Sequence, residues 1–255
     1  RTGTFFFGGA NTGDNTHAGV IPNSSGGTLS IAKHGAGKWI LSNDNTFAGA
    51  LTVYAGTLVL GGTNSYTGPT SLSANATLEV ANLANGGGDS SIGASSGIPN
   101  NLRLSGGTTL RHTGATASTT DRNLALLGSV TIDSSGTGTL ALGQTGVVLS
   151  PDYQENASAV WSTANQKKIT GLADTSTLAV GMRVTGTGIG ANTTITSIDS
   201  ATQVTVNNNF TARGGGAVNF GYASARTLTL AGGNTGANTI VGILQDSTAA
   251  GTGVL

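Results

Sequence analysis

Apolar and polar positions alternate along this chain in short bursts, each closed by Gly, Asn, Ser or Thr. The clearest are KWIL (Lys38–Leu41), LTV (Leu51–Val53), TLVL (Thr57–Leu60), TSL (Thr70–Leu72) and TLEV (Thr77–Val80). Alternation with period two predicts strands with one face in a core, and the small polar residues between them predict corners. In Thr57–Leu60 it turns Leu58 and Leu60 inward together and leaves Thr57 and Val59 outward. A helical protein is excluded, because Gly and β-branched residues are too frequent for helix interiors.

The bursts recur. Gly37–Gly49 (GKWILSNDNTFAG) lies over Gly56–Gly68 (GTLVLGGTNSYTG) without a gap, so that Trp39 matches Leu58, Leu41 matches Leu60, Asn45 matches Asn64 and Phe47 matches Tyr66. Asp44 falls opposite Thr63 and Asn43 opposite Gly62, so the acid is not part of the repeated pattern. Asn43-Asp44-Asn45 therefore reads as a turn, built from residues that tolerate left-handed backbone and bond their own chain, rather than as a ligand cluster. A period of about twenty residues with several short strands predicts a solenoid in which each coil buries its apolar residues against the next. Weaker echoes follow at Asn101–Gly114, Gly128–Gly143 and Arg226–Thr239. Asn11–Gly19 (NTGDNTHAG) also matches Asn234–Gly242 (NTGANTIVG) at an offset of 234 − 11 = 223 residues, which suggests that the last coil resembles the first.

Gly35–Leu60 followed by Gly61–Val80 resembles the autotransporter-associated β-strand repeat of bacterial surface proteins. The Gly-x-Gly-Lys-aromatic strand, the Asn-Thr/Ser-Phe/Tyr-x-Gly turn and the Ala-Gly-Thr-Leu strand carry the resemblance, which is specific over Gly27–Ala81. It implies an all-β, right-handed parallel β-helix exposed outside the cell, of a kind that serves as scaffold or stalk more often than as enzyme. One segment departs from the coil pattern: Lys167–Phe210 has denser alternation at Met182–Val184, Thr193–Ile198 and Gln203–Val206, and is similar to a small β-module of large bacterial surface and phage-associated proteins. The expected organisation is thus coils over 1–150, an inserted small β-module over 151–220, and coils resuming over 221–255.

Composition narrows the partners. Among 255 residues 42 are Gly, 4 are Pro and none is Cys, and 37% are hydrophobic, which argues against disorder, collagen and disulfide or cysteine-metal chemistry. Eleven basic and eleven acidic residues cancel, so nothing favours nucleic acid, and no apolar run is long enough for a membrane helix. A chain starting at Arg1 without Met suggests a mature or excised segment.

Candidate chemistry is sparse. Asp152 and Glu155 form the tightest acid pair, with Tyr153 and Trp161 nearby and Phe210 further on; these are the candidate glycan contacts of a carbohydrate-binding module or a polysaccharide-active β-helix enzyme. His17, His34 and His112 are dispersed and read as solvated loop residues, so no metal or other cofactor is expected. The Gly-rich Gly86–Gly93 and Gly186–Thr194 open no helix and carry no phosphate-binding Lys. Phe5, Phe6 and Phe7 at one end, and Val254 and Leu255 at the other, are the candidate assembly residues of a head-to-tail homo-oligomer or filament. The expectation is a non-enzymatic structural or adhesive subunit, secreted or on a bacterial surface, with a host or matrix glycan as the further candidate partner.

Overall fold

The structure is a computed structural model describing residues 2–23, 26–73, 75–143, 153–161, 167–173, 175, 178–221 and 226–241, with the side chains of 153–158 left aside. The described residues are all-β, without an α-helix. Contacts divide the chain into two compact units, Arg1–Leu149 with Thr227–Ile243 and Ser150–Arg226 with Leu244–Leu255.

The first unit is a parallel β-solenoid of about six turns. Its first wall stacks β1 (Gly3–Phe7), β3 (Leu29–Lys33), β5 (Leu51–Val53), β7 (Thr70–Leu72), β9 (Leu102–Leu104) and β12 (Ala125–Leu126) in that order. The second stacks β2 (Asn15–His17), β4 (Lys38–Leu41), β6 (Thr57–Leu60), β8 (Thr77–Val80), β10 (Thr109–His112), β13 (Val130–Ser134) and β21 (Leu228–Ala231). A third, formed in the later coils, stacks β11 (Ser118–Thr120), β14 (Leu140–Leu142) and β22 (Thr239–Ile240).

The registers are those the repeat dictates. Lys38, Trp39, Ile40 and Leu41 pair with Thr57, Leu58, Val59 and Leu60, the alignment read from sequence. Leu58 and Leu60 are 0% and 1% exposed while Thr57 and Val59 lie outward. Stacking puts Leu41, Leu60 and Val80 in one buried row and Leu51, Leu102 and Leu124 in the core of the other side, so burial accumulates across coils that could not hold it singly. The corners are tight: a Cβ on Gly68 would stand 2.2 Å from the Gly49 carbonyl oxygen, which explains Gly at both positions.

The matching end stretches share a turn but not a place. Gly13 N donates to Asn11 Oδ1 (3.0 Å) and Gly236 N to Asn234 Oδ1 (2.6 Å), and in both the next-but-one Asn bonds back to the Gly carbonyl at 2.9 Å. The strand that follows lies in the second wall as β2 in one case and in the third wall as β22 in the other. The 223-residue offset thus relates two copies of one corner that lead into different walls.

The second unit is antiparallel. One sheet has the order β15 (Tyr153–Trp161), β20 (Gly214–Gly221), β17 (Arg183–Thr185), and another has β16 (Lys168–Ile169), β19 (Gln203–Val206), β18 (Ile195–Ser200). Trp161, Met182, Val204, Val218 and Phe220 are among its buried side chains.

Candidate functional site

The Asn-Asp-Asn corner is structural and bonds its own chain, Asp44 N donating to Asn43 Oδ1 at 2.9 Å and Asn45 Nδ2 to the Asn43 carbonyl at 2.7 Å, but it does so without left-handed backbone. The described non-Gly residues with positive φ are Asn75 and Asn192, so Asn45 is not among them. Asn45 and Asn64 are instead 1% exposed and bonded to each other across the coils. Asn64 Oδ1 accepts from the Asn45 backbone N and from Asn45 Nδ2, both at 2.8 Å, Asn45 Oδ1 accepts from Ile21 N at 2.9 Å, and Asn64 Nδ2 donates to the Ser91 carbonyl at 2.8 Å. Phe47 and Tyr66 stack beside this ladder with centroids 4.5 Å apart and planes at 12°. Burial raises the Tyr66 phenol above its ordinary range, and its hydroxyl bonds Thr70 Oγ1 at 2.7 Å. Exposed Asp44 accepts from Thr63 N at 2.6 Å, a further tie between coils.

Two of the described acids meet around an arginine. Glu79, Arg111 and Asp133 share one outward row on β8, β10 and β13, and Arg111 bridges Glu79 (2.9 Å) and Asp133 (2.7 Å). Burial works against the Asp133 carboxylate, but the Ser135 hydroxyl and Arg111 hold it below its usual value, the opposite of a poised general acid. The Gly-rich stretch 86–93 turns carbonyls inward: buried Arg122 donates to Gly88 O, Gly93 O, Ala84 O and Ser95 Oγ. His112 corrects the expectation of a solvated loop residue. It faces into β10's core side at 1% exposure, and burial lowers its pKa against the raising effect of the Ala81 backbone. Among the described residues no three His, Cys, Asp or Glu converge as a metal site.

Among the predicted glycan residues, Trp161 and Phe210 are buried rather than exposed. Trp161 is 2% exposed, with Gly214 against its indole, and Phe210 is 5% exposed with its ring 6.4 Å from that of Trp161; both fill the second unit's core. Tyr153 and Glu155 lie in the backbone of β15, opposite Gly221 and Asn219, and Asp152 lies outside the described residues. At the first coil Phe5 and Phe6 are 43% and 66% exposed and Phe7 is buried against Trp39 at 5.1 Å. Val254 and Leu255 lie outside the described residues, but the last described coil exposes Leu230 and Val241 and leaves a recess of about 370 Å³ lined by Ile132, Leu140, Leu142, Leu230 and Ile240.

Sequence reasoning missed an aromatic row on the outer face of the first wall. His34 and Tyr54 stack at 4.4 Å with planes at 15°, and Phe6 lies 5.6 Å from His34. His34 and Tyr54 are separated by one coil period, the signal by which they could have been found.

These features define the coils of a parallel β-solenoid, and comparison with known proteins adds the kind of repeat. Residues 31–60 and 54–80 match the passenger-associated-transport-repeat family, so the repeat is an autotransporter passenger repeat and the chain is a cell-surface or secreted one. Over 113 residues, 44% of this chain, it is 43% identical to the adhesin BmaC autotransporter of Brucella suis biovar 1 (strain 1330). The chain spans 3% of that relative's length. No solved structure gives a significant match, and no helix among the described residues is long and apolar enough to cross a membrane.

Proposed function

We propose that this chain is a non-enzymatic, adhesive section of a surface passenger, a β-helical rod carrying one inserted small β-module over 151–220 and associating head-to-tail with further copies. The observation that carries the reading is the passenger repeat over residues 31–80, whose coils stack in register; head-to-tail association would bring together the apolar side chains of the first and last described coils, Phe5, Leu230 and Val241. Phe5 shares the inward parity of Ile31, with which it pairs. Edge strands with apolar side chains favour another coil as their neighbour, and a contact between unlike ends does not close. The adhesive part rests on the named relative and on the repeat.

Mass measured across a dilution series tests assembly. The wild-type mass rises with concentration, while Phe5→Asp, which places a charge on the end coil, stays at the single-chain 25.0 kDa. A wild-type mass that does not change with concentration would rule out head-to-tail association.

A further inference from the structure

The outer face of the first wall carries a second row beside the aromatic one. Backbone bonds from Tyr54, Ser73 and Ser105 to the preceding coil continue the wall's register, so His34, Tyr54, Ser73 and Ser105 occupy successive coils in one line. In the adjacent line, two residues back along each strand, stand Ala32, Thr52, Ser71 and Arg103. Because His34 and Tyr54 are stacked nearly parallel, His34 covers one face of the phenol ring, and the other looks along the row toward Ser73, which is too small to cover it. Tyr54 is 48% exposed.

Arg103 supplies the second observation. Its Nε and Nη2 donate to Ser71 Oγ at 3.0 and 2.7 Å, and Nη1 reaches Asn100 Oδ1 at 3.4 Å. These bonds pull the guanidinium from its own coil back over the coil of Ser71 and Ser73. Both acceptors are neutral, and among the described residues no carboxylate ion-pairs with it, in contrast to Arg111, which has two. A guanidinium has five N–H donors, so donors remain for a ligand. The cation therefore stands at the level of Ser73, one coil rise of about 4.8 Å from Tyr54, and about 7 Å across the wall.

We propose that Tyr54, Ser73 and Arg103 form a subsite for an acidic sugar, a pyranose bearing a carboxylate. Its ring continues the His34–Tyr54 stack over Ser73, and its carboxylate takes the remaining N–H donors of Arg103. The small Ser73 leaves room for a ring at its level, and the charge the ledge lacks is negative. Guanidinium is suited to a carboxylate because its planar fork matches two oxygens at once.

The inference rests on the reading of the chain as an adhesive rod, and its test is separate from assembly. Saturation-transfer NMR on the 255-residue chain would compare a galacturonic acid oligosaccharide with a neutral galactose oligosaccharide of equal length. The acidic sugar is expected to bind at least about tenfold more tightly, as one charge-assisted pair provides. Tyr54→Phe should retain that binding and Tyr54→Ala should lose it, with unchanged circular dichroism. Arg103→Gln, which keeps a donor for Ser71, should bring the two sugars to equal affinity. Equal binding of both sugars by the wild type, binding of neither, or full binding by Tyr54→Ala would overturn the subsite. Monomeric rods that bind the acidic sugar would remove head-to-tail assembly and leave the subsite, whereas filaments that bind neither sugar would do the reverse.

Discussion

At the scale of single residues, the energetics are dominated by buried polar groups that bond from one coil to the next. Asn64 is the clearest case. Truncating it removes the acceptor for two Asn45 donors and the donor to Ser91, all buried. Asn64→Ala should therefore cost about 2–4 kcal/mol in a denaturant titration, while Asp44→Ala, which frees one exposed N–H, should cost under about 1 kcal/mol. Equal losses would mean that the acid, not the ladder, holds the corner. His112 sets a pH dependence. Its folded pKa lies below the ordinary 6.5, so above that value both states are neutral there and stability is unaffected. As pH falls below it, the unfolded chain takes up a proton that the folded chain resists, and stability falls by up to about 1.4 kcal/mol per pH unit. Denaturant midpoints from neutral to mildly acidic pH should show that decline, and His112→Leu should flatten part of it. Sequence placed His112 in a loop because nothing in one His distinguishes an inward strand position from a solvated one. The signal lay in its alternation with Leu110.

At the scale of elements, strands were legible where the coil period is short and constant. Lys38–Leu41, Leu51–Val53, Thr57–Leu60, Thr70–Leu72 and Thr77–Val80 appear with the bounds read from sequence, because successive coils there differ by 19 or 20 residues (57 − 38 and 77 − 57). The next step, from Thr77 to Thr109, is 32 residues, because the stretch held by Arg122 loops out between β8 and β9. That loop broke the period, and the later coils showed only as echoes. Within the small unit, Gln203–Val206 matches its predicted strand, while Met182–Val184 and Thr193–Ile198 are observed shifted to Arg183–Thr185 and Ile195–Ser200. The corners yield a direct comparison. Gly68→Ala drives a Cβ to 2.2 Å from Gly49 O, whereas Gly8→Ala meets nothing within 4 Å. Thermal unfolding should show a loss of at least about 2 kcal/mol for the first and under about 0.5 kcal/mol for the second. Comparable melting temperatures would mean that the coils separate freely, against close stacking.

At the scale of the whole molecule, the repeated apolar pattern conveyed the fold and composition conveyed the class, but the site was less visible. A row such as Phe6, His34 and Tyr54 joins residues of different coils, and only the stacking register brings them together. Trp161 misled for the complementary reason: an aromatic beside acids suggests a sugar platform, yet strand pairing with Gly214 turns it into the core. The matching ends share a corner while the strands that follow it lie in different walls, so the proposed assembly rests on the apolar side chains of the first and last described coils. Electron microscopy of the purified chain over a range of concentrations tests that central claim most directly. The account predicts filaments that lengthen with concentration, repeat at one chain length and disappear in Phe5→Asp. Short rods of constant length at every concentration would contradict it.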